Sequence, residues 1–326
     1  LNLRGRPKRT TRFREGNVYA HKPVLLEPVL SFLLPIRLPV PVPAGGREIC
    51  FVDATVGEGG HTEVGVDRDG EILRRAEERL ERFGRRVRLF HMGFSEFFRR
   101  YGELVDIRPG SILFDLGISM YHYESSGRGF SLQREEPLDM RLDPSRGPTA
   151  GELIETLEEE ELADLLFRYG EERLARRISK AIVRERVRGA IPNAKALAEV
   201  VSRAVPASYR YGRIHPATRT FQALRIAVNE ELAALEEALP EAFETLAVGG
   251  RMAVISFHSL EDRIVKRFFQ ERNKSCTCPP DAPICQCGGL RRGRLLTRKP
   301  VVADEQEMQR NPASRSAKLR VLEKIA

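Results

Sequence analysis

Tryptophan is absent from this 326-residue chain, and no apolar run approaches the roughly 18 residues that a membrane-crossing helix needs. The basic N-terminal stretch has no apolar core behind it, so neither a membrane span nor a secretory signal is expected, and the sequence reads as cytoplasmic. Cysteine is sparse. Four of the five cysteines are bunched as Cys276-x-Cys278 and Cys285-x-Cys287, which is no secreted disulfide framework. A C-x-C, x6, C-x-C cluster could hold zinc, although its pairs lack the usual two-to-four-residue gap; a solvent loop rich in Pro279, Pro280 and Pro283 is the plain alternative. The G-x-G-x-x-G spacing of dinucleotide sites and the Gly-Lys-Ser/Thr of triphosphate loops are both missing, so no phosphate grip is offered.

What is present begins with charge. Fifty-four Lys and Arg against 46 Asp and Glu leave +8, which suits a polyanionic partner as well as a merely soluble surface. The length exceeds one average domain and predicts one large α/β unit with a smaller one.

Ile49-Cys50-Phe51-Val52-Asp53 is an apolar run of strand length that ends in acid and breaks into a loop with Gly57, Gly59 and Gly60. Val64-Gly65-Val66-Asp67 is a second short strand that also ends in acid. Glycines let the backbone approach a ligand without a Cβ in the way, and an acid at the next strand tip can accept hydrogen bonds from ribose hydroxyls. A glycine turn in an ordinary α/β sheet is the plain alternative. Asp53 and Glu58 in the loop repel pyrophosphate but suit a cation, and S-adenosylmethionine carries both a sulfonium and an ammonium. Ser111-Ile112-Leu113-Phe114-Asp115 repeats the pattern, so three strands end in Asp53, Asp67 and Asp115 on the one edge where parallel sheets bind ligands.

In chain order, residues 1–20 form a basic arm, a short amphipathic helix with Leu26, Leu30 and Leu33 on one stripe lies beside the first strand, and Pro35 to Pro43 make an extended linker. Residues 21–127 are the first part of the α/β unit, 128–212 an inserted helical domain opened by the capping box Thr149-x-x-Glu152, and 213–326 the second part. One long helix is expected after His215, with Phe221, Leu224, Val228, Leu232 and Leu235 along one face.

A set of motifs in fixed order narrows the class. Asp53-Ala54-Thr55-x-Gly57-x-Gly59-Gly60-His61, Asp115-Leu116-Gly117-Ile118-Ser119, Arg128-Gly129-Phe130-Ser131, Pro137-Leu138-Asp139-Met140-Arg141, Thr220-Phe221-Gln222-Ala223-Leu224-Arg225 and Ser256-Phe257-His258-Ser259-Leu260-Glu261-Asp262-Arg263 resemble the MraW (RsmH) family, bacterial 16S ribosomal RNA cytosine-N4 methyltransferases. The resemblance runs from His21 to Ile325. It implies a class I, Rossmann-like S-adenosylmethionine-dependent methyltransferase sheet interrupted by a helical domain. Its partner would be small-subunit ribosomal RNA or the assembled small subunit, with a cytidine of the decoding region as target. By motif, Gly59, Gly60 and His61 would line the methionine part of the cofactor, Asp67 would hold the ribose hydroxyls, Phe94 would stand on the adenine side, and Asp115 would lie near the sulfonium. His122 stands where many members carry glutamine, so that contact is supplied by a different donor or lost. The Asp-Pro-Pro-Tyr type motif of DNA amino-methyltransferases is absent, no general base is assigned, and the base pocket is placed between the Asp115–Ser119 tip and Ser256–Ser259.

One departure bears on all of this. Six residues separate Gly60 from Asp67, whereas a parallel crossover with its helix needs about 10–12 or more, so the first helix of the fold is expected to be missing. Two rival functions remain: an NAD-dependent oxidoreductase, which lacks its pyrophosphate loop here, and an RNA-binding protein with an inactive methyltransferase-like core.

Overall fold

The computed structural model describes residues 23–34, 49–59, 63–212, 214–276, 278, 284 and 289–326. The expectations for the basic arm, the proline linker, Gly60, His61, Cys285 and Cys287 lie outside these residues. Seven strands form one sheet in the order β3-β2-β1-β4-β5-β7-β6. They are β1 (Cys50–Asp53), β2 (Val64–Asp67), β3 (Arg88–His91), β4 (Pro109–Asp115), β5 (Arg251–Ser256), β6 (Gly293–Leu295) and β7 (Lys318–Lys324). The first five in sequence are parallel, and β7 enters antiparallel between β5 and β6. Strand order reverses between β1 and β4, which opens a crevice at the carboxyl ends of the central strands.

Both faces of a parallel sheet must be covered, and the helices do this unevenly. On one face Val52, Val66, Ile112, Phe114 and Val254 pack against Phe97 and Phe98 of α3 (Phe94–Arg99), Tyr101 of α4 (Tyr101–Leu104), Leu239 and Phe243 of α12 (Glu231–Thr245), and Val265 and Phe269 of α13 (Ser259–Asn273). On the other, α1 (Leu26–Leu33) buries Val29 and Leu33 against Ala253, Ile255 and Leu319, while α2 (Gly70–Leu80) buries Leu73, Ala76 and Leu80 against Val56. The first helix is seated mainly over β5, with Phe51 of β1 and Leu113 of β4 packed against the same cluster; the Arg251 guanidinium of β5 donates to Phe32 O and Ser111 Oγ of β4 to Leu33 O at 3.1 Å, which fixes its end.

On the α1 face Phe51 of β1 and Leu113 of β4 pack against the α1 cluster and stay half-buried. Val64 pairs parallel with Val52, and the ten residues 54–63 that join the strands contain no helix among those described. The shortened crossover read from the sequence is thus matched by a β1–β2 link that holds no described helix.

The helices between β4 and β5 make a second core. After α5 (Met120–Glu124) come α6 (Ala150–Thr156), whose Thr149 capping box is in place, α7 (Glu159–Gly170), α8 (Ala175–Arg188), α9 (Ala194–Ala204) and α10 (Ala207–Arg210). The long helix expected after His215 is two: α11 (Thr218–Asn229) and α12 part at Glu230, which takes the left-handed φ of 51°. Phe221, Leu224 and Val228 of α11 join the second core with Ile154, Leu162, Ile178 and Leu197, whereas Leu235 of α12 joins the sheet.

Candidate functional site

The tips of β1, β2 and β4 open into a cavity of about 1640 Å³, larger than the roughly 300–1,000 Å³ of ordinary small-molecule pockets and roomy enough for a cofactor together with a nucleotide. Gly59, Asp67, Phe94, Asp115 and His122 all line it, and so do Phe257 and His258 from the β5 end. Residues spread over two hundred positions meet here because parallel strands present their carboxyl ends together.

The glycine loop folds back over β2. Val56 N donates to Val66 O at 2.9 Å, and Gly57, at φ 54°, donates its N–H to Asp67 Oδ2 at 3.0 Å. Gly59, at φ 85°, packs so close to α2 that a Cβ would lie 3.2 Å from Leu80. The other Asp67 oxygen accepts from Asp69 N at 2.9 Å, so each oxygen holds one backbone bond and keeps a lone pair for a ligand hydroxyl. Burial pushes the Asp67 carboxyl up despite these two bonds. The Phe94 ring stands edge-on to Phe114 at 5.6 Å and offers a flat apolar wall on the α3 side.

Asp115 differs from its neighbours. Its backbone N donates to Thr55 Oγ1 at 2.7 Å, which locks the β4 tip to β1, but its Oδ1 is buried with no hydrogen-bond partner. Burial first, then the nearby Asp53 and Glu261 charges, push its carboxyl up to about 8. An orphaned carboxylate in an acid-lined cavity is a fit for a cation, and S-adenosylmethionine is one.

His122 is committed to the protein on both nitrogens. Nδ1 accepts from Ser119 N at 3.1 Å and Nε2 donates to Asp69 Oδ2 at 2.9 Å, so the ring anchors α5 to the start of α2 while its edge borders the cavity. Asp69 caps α2 and also accepts from the Arg128 guanidinium. Burial alone would raise that carboxyl; the His122 and Arg128 bonds outweigh it and hold it at about 2. Arg128 reaches on to Arg141 O and Leu142 O, both at 2.9 Å, and the Asn229 amide donates to Met140 O at 2.7 Å. Arg68 donates to Asn229 O at 2.6 Å. These bonds tie the Arg128-Gly129-Phe130 and Asp139-Met140-Arg141 motifs to the cofactor side of the sheet.

Behind the β5 tip lies a charge cluster that sequence reasoning did not assemble. The Arg225 guanidinium pairs with both oxygens of Glu231 at 2.8 Å, and Glu261 Oε2 accepts from Phe257 N and His258 N at 2.8 and 3.2 Å. His258 Nδ1 accepts from Glu261 N at 3.4 Å, which leaves the proton on Nε2, 3.1 Å from Glu261 Oε1 but off its hydrogen-bond axis. Ligand atoms of Glu231, His258 and Glu261 lie within 4.8 Å of one another, but they already hold protein donors or a proton, which is a structural network and a poor metal set. His258 is thereby a capping residue of α13 in the first instance.

Comparison with known proteins gives these features a context. Residues 18–325 match the MraW methylase family. Curated relatives include the ribosomal RNA small subunit methyltransferases H of Treponema denticola (52% identical, covering 94% of this chain and 97% of the relative), Pelobacter propionicus (47%, 94% and 99%) and Heliobacterium mobile (44%, 94% and 99%). The Treponema alignment spans 318 positions, whereas 94% of this chain is about 306 residues. About a dozen aligned positions therefore lack a residue here, enough for roughly three turns of helix. Matched over residues 18–325 and 44–52% identical to these relatives along nearly their whole length, the chain belongs to the MraW methylase family, S-adenosylmethionine-dependent methyltransferases of ribosomal RNA.

Proposed function

We propose that this protein methylates the N4 amino group of a cytidine in the decoding region of small-subunit ribosomal RNA. The observation that carries the choice of chemistry is the makeup of the cavity: among the described residues no cysteine and no lysine lines it, whereas the unpartnered acceptor Asp115 does. A ring-carbon methylation through a covalent thiolate adduct has no nucleophile here. Transfer to an amino nitrogen needs alignment, exclusion of water and an acceptor for the amino hydrogens, because the nitrogen lone pair is conjugated into the ring.

Within this reading Asp67 holds the ribose hydroxyls with its free lone pairs, Phe94 flanks the adenine, Gly59 borders the methionine moiety, and Asp115 faces the sulfonium. His122 supports the site through Asp69. The target base enters between the Asp115–Ser119 tip and Phe257–His258. The cofactor supplies the methyl group; the chain supplies position and charge.

The test is nucleoside mass spectrometry of small-subunit RNA after incubation with the protein and cofactor, using naked RNA and assembled subunits in parallel. N4-methylcytidine in either sample supports the proposal, and methylation confined to another nucleoside refutes it. A second reading, an RNA-binding protein with an inactive core, draws on the short β1–β2 link, which holds no described helix. RNA binding without cofactor affinity would select it.

A further inference from the structure

We propose that Asp115 is the proton acceptor of the reaction, ionising against the cofactor's sulfonium and then taking the proton that the target amino group loses. The inference rests on the N4 reading above. Asp115 ends the central strand β4, with Asp53 on β1 one pleat away, since Asp53 pairs with Leu113, and with Ile255 of β5 directly opposite. No hydrogen bond reaches its Oδ1.

The charged groups around it are acidic or already paired. Asp53 faces it from β1 and Glu261 from α13, both pushing its basicity up. Arg225 of α11 is engaged bidentately by Glu231 of α12, and His258 turns its Nδ1 to the backbone of α13. Asp67 of β2 holds backbone N–H groups. No cation is bonded to Asp115 among the described residues, so before the cofactor binds it keeps its proton at neutral pH, in line with a carboxyl pushed up to about 8.

The balance of the step is simple. Asp115 enters it as a carboxylate opposite one positive charge. The N–CH3 bond forms as the S–CH3 bond breaks, with that electron pair remaining on sulfur as a thioether lone pair. The methylated nitrogen sheds one proton, which Asp115 takes. Carboxylate, sulfonium and neutral amine become carboxylic acid, thioether and neutral methylamine, so the net charge of the pocket is unchanged. The acceptor becomes more basic as the sulfonium charge disappears, which aligns proton transfer with methyl transfer. The proton that each turnover must release then leaves when the next cofactor binds.

Calorimetry in buffers of different ionisation enthalpy measures this without turnover. At pH 7 a carboxyl near 8 is about nine-tenths protonated, so S-adenosylmethionine binding should release roughly 0.9 proton per site, and the neutral thioether S-adenosylhomocysteine close to none. Asp115→Asn should abolish the release. Should that variant fail to fold, Asp53→Asn serves instead: with one neighbouring charge removed, the release should fall and its midpoint move to lower pH. Equal proton counts for the two ligands, or release that survives Asp115→Asn, overturn the proposal. If release is seen but the methyl group lies on no amino nitrogen, the N4 reading fails while the linkage of Asp115 to the sulfonium stands.

Discussion

Replacing Asp67 with alanine tests the cofactor assignment most sharply, because the structure fixes what is removed. The side chain accepts from Gly57 N at 3.0 Å and from Asp69 N at 2.9 Å, each oxygen keeps a lone pair, and the residue lines the cavity. Hydrogen bonds to a charged acceptor are worth about 1.5–3 kcal/mol each, and about 1.4 kcal/mol is a factor of ten, so loss of even one ribose contact weakens binding at least roughly tenfold. Loss of both, with release of the glycine loop, takes the effect to a hundredfold or more by the same scale. Asp67→Asn keeps the shape but turns one acceptor into a donor facing a backbone N–H, and should fall between the two. The contribution fades as the pH drops through the raised Asp67 pKa, since the protonated acid accepts less well. Calorimetric titration with S-adenosylmethionine, on variants whose circular dichroism matches the parent, measures each step. Unchanged affinity in folded Asp67→Ala would refute the assignment.

Three further outcomes follow from the same structure. RNA affinity should fall steeply between low and physiological salt while cofactor affinity barely moves, and a flat RNA response would count against a phosphate-tracking surface. Gly129→Ala should lower the melting temperature by an amount matching about 2–4 kcal/mol, because a Cβ there would stand 2.2 Å from Pro137 O at a φ of 77°; an unchanged melt would show that this turn is not held as described. Asp69, near 2 in the fold against an ordinary 3.8, contributes about 2 kcal/mol of stability that is present above pH 4 and lost as the pH falls through 2. Arg128→Gln should shrink that acid-dependent loss, read from melting temperatures between pH 2 and 7, and an identical acid profile would contradict the pairing.

Much of the sheet was legible because its signal is local. An apolar run closed by Asp53, Asp67 or Asp115 shows itself within seven residues, and the parallel order then brings the three acids to one edge without further information. The shortened β1–β2 link was legible by length alone. The break between α11 and α12 was not: Phe221, Leu224, Val228 and Leu235 keep one helical period across it, and Glu230 adopts a left-handed φ that nothing in a glutamate announces. Asn229, whose amide is drawn to Met140 O, is the one hint in hindsight. The seat of α1 over β5 and β4 depends on Phe32 and Leu33 carbonyls meeting Arg251 and Ser111, contacts no periodicity reports. The same distance in sequence hid the support of the site. His122 reaches Asp69 across 53 positions, and Arg225 finds Glu231 only because the helix turns between them.

The account stands on a strand-tip pocket that holds a sulfonium cofactor even though the link from β1 to β2 contains no described helix. Titration of the intact protein with S-adenosylmethionine and, separately, with NAD measures this most directly. The account predicts saturable binding of S-adenosylmethionine in the micromolar range and no heat from NAD. Absence of S-adenosylmethionine binding by folded protein that still binds small-subunit RNA would contradict it.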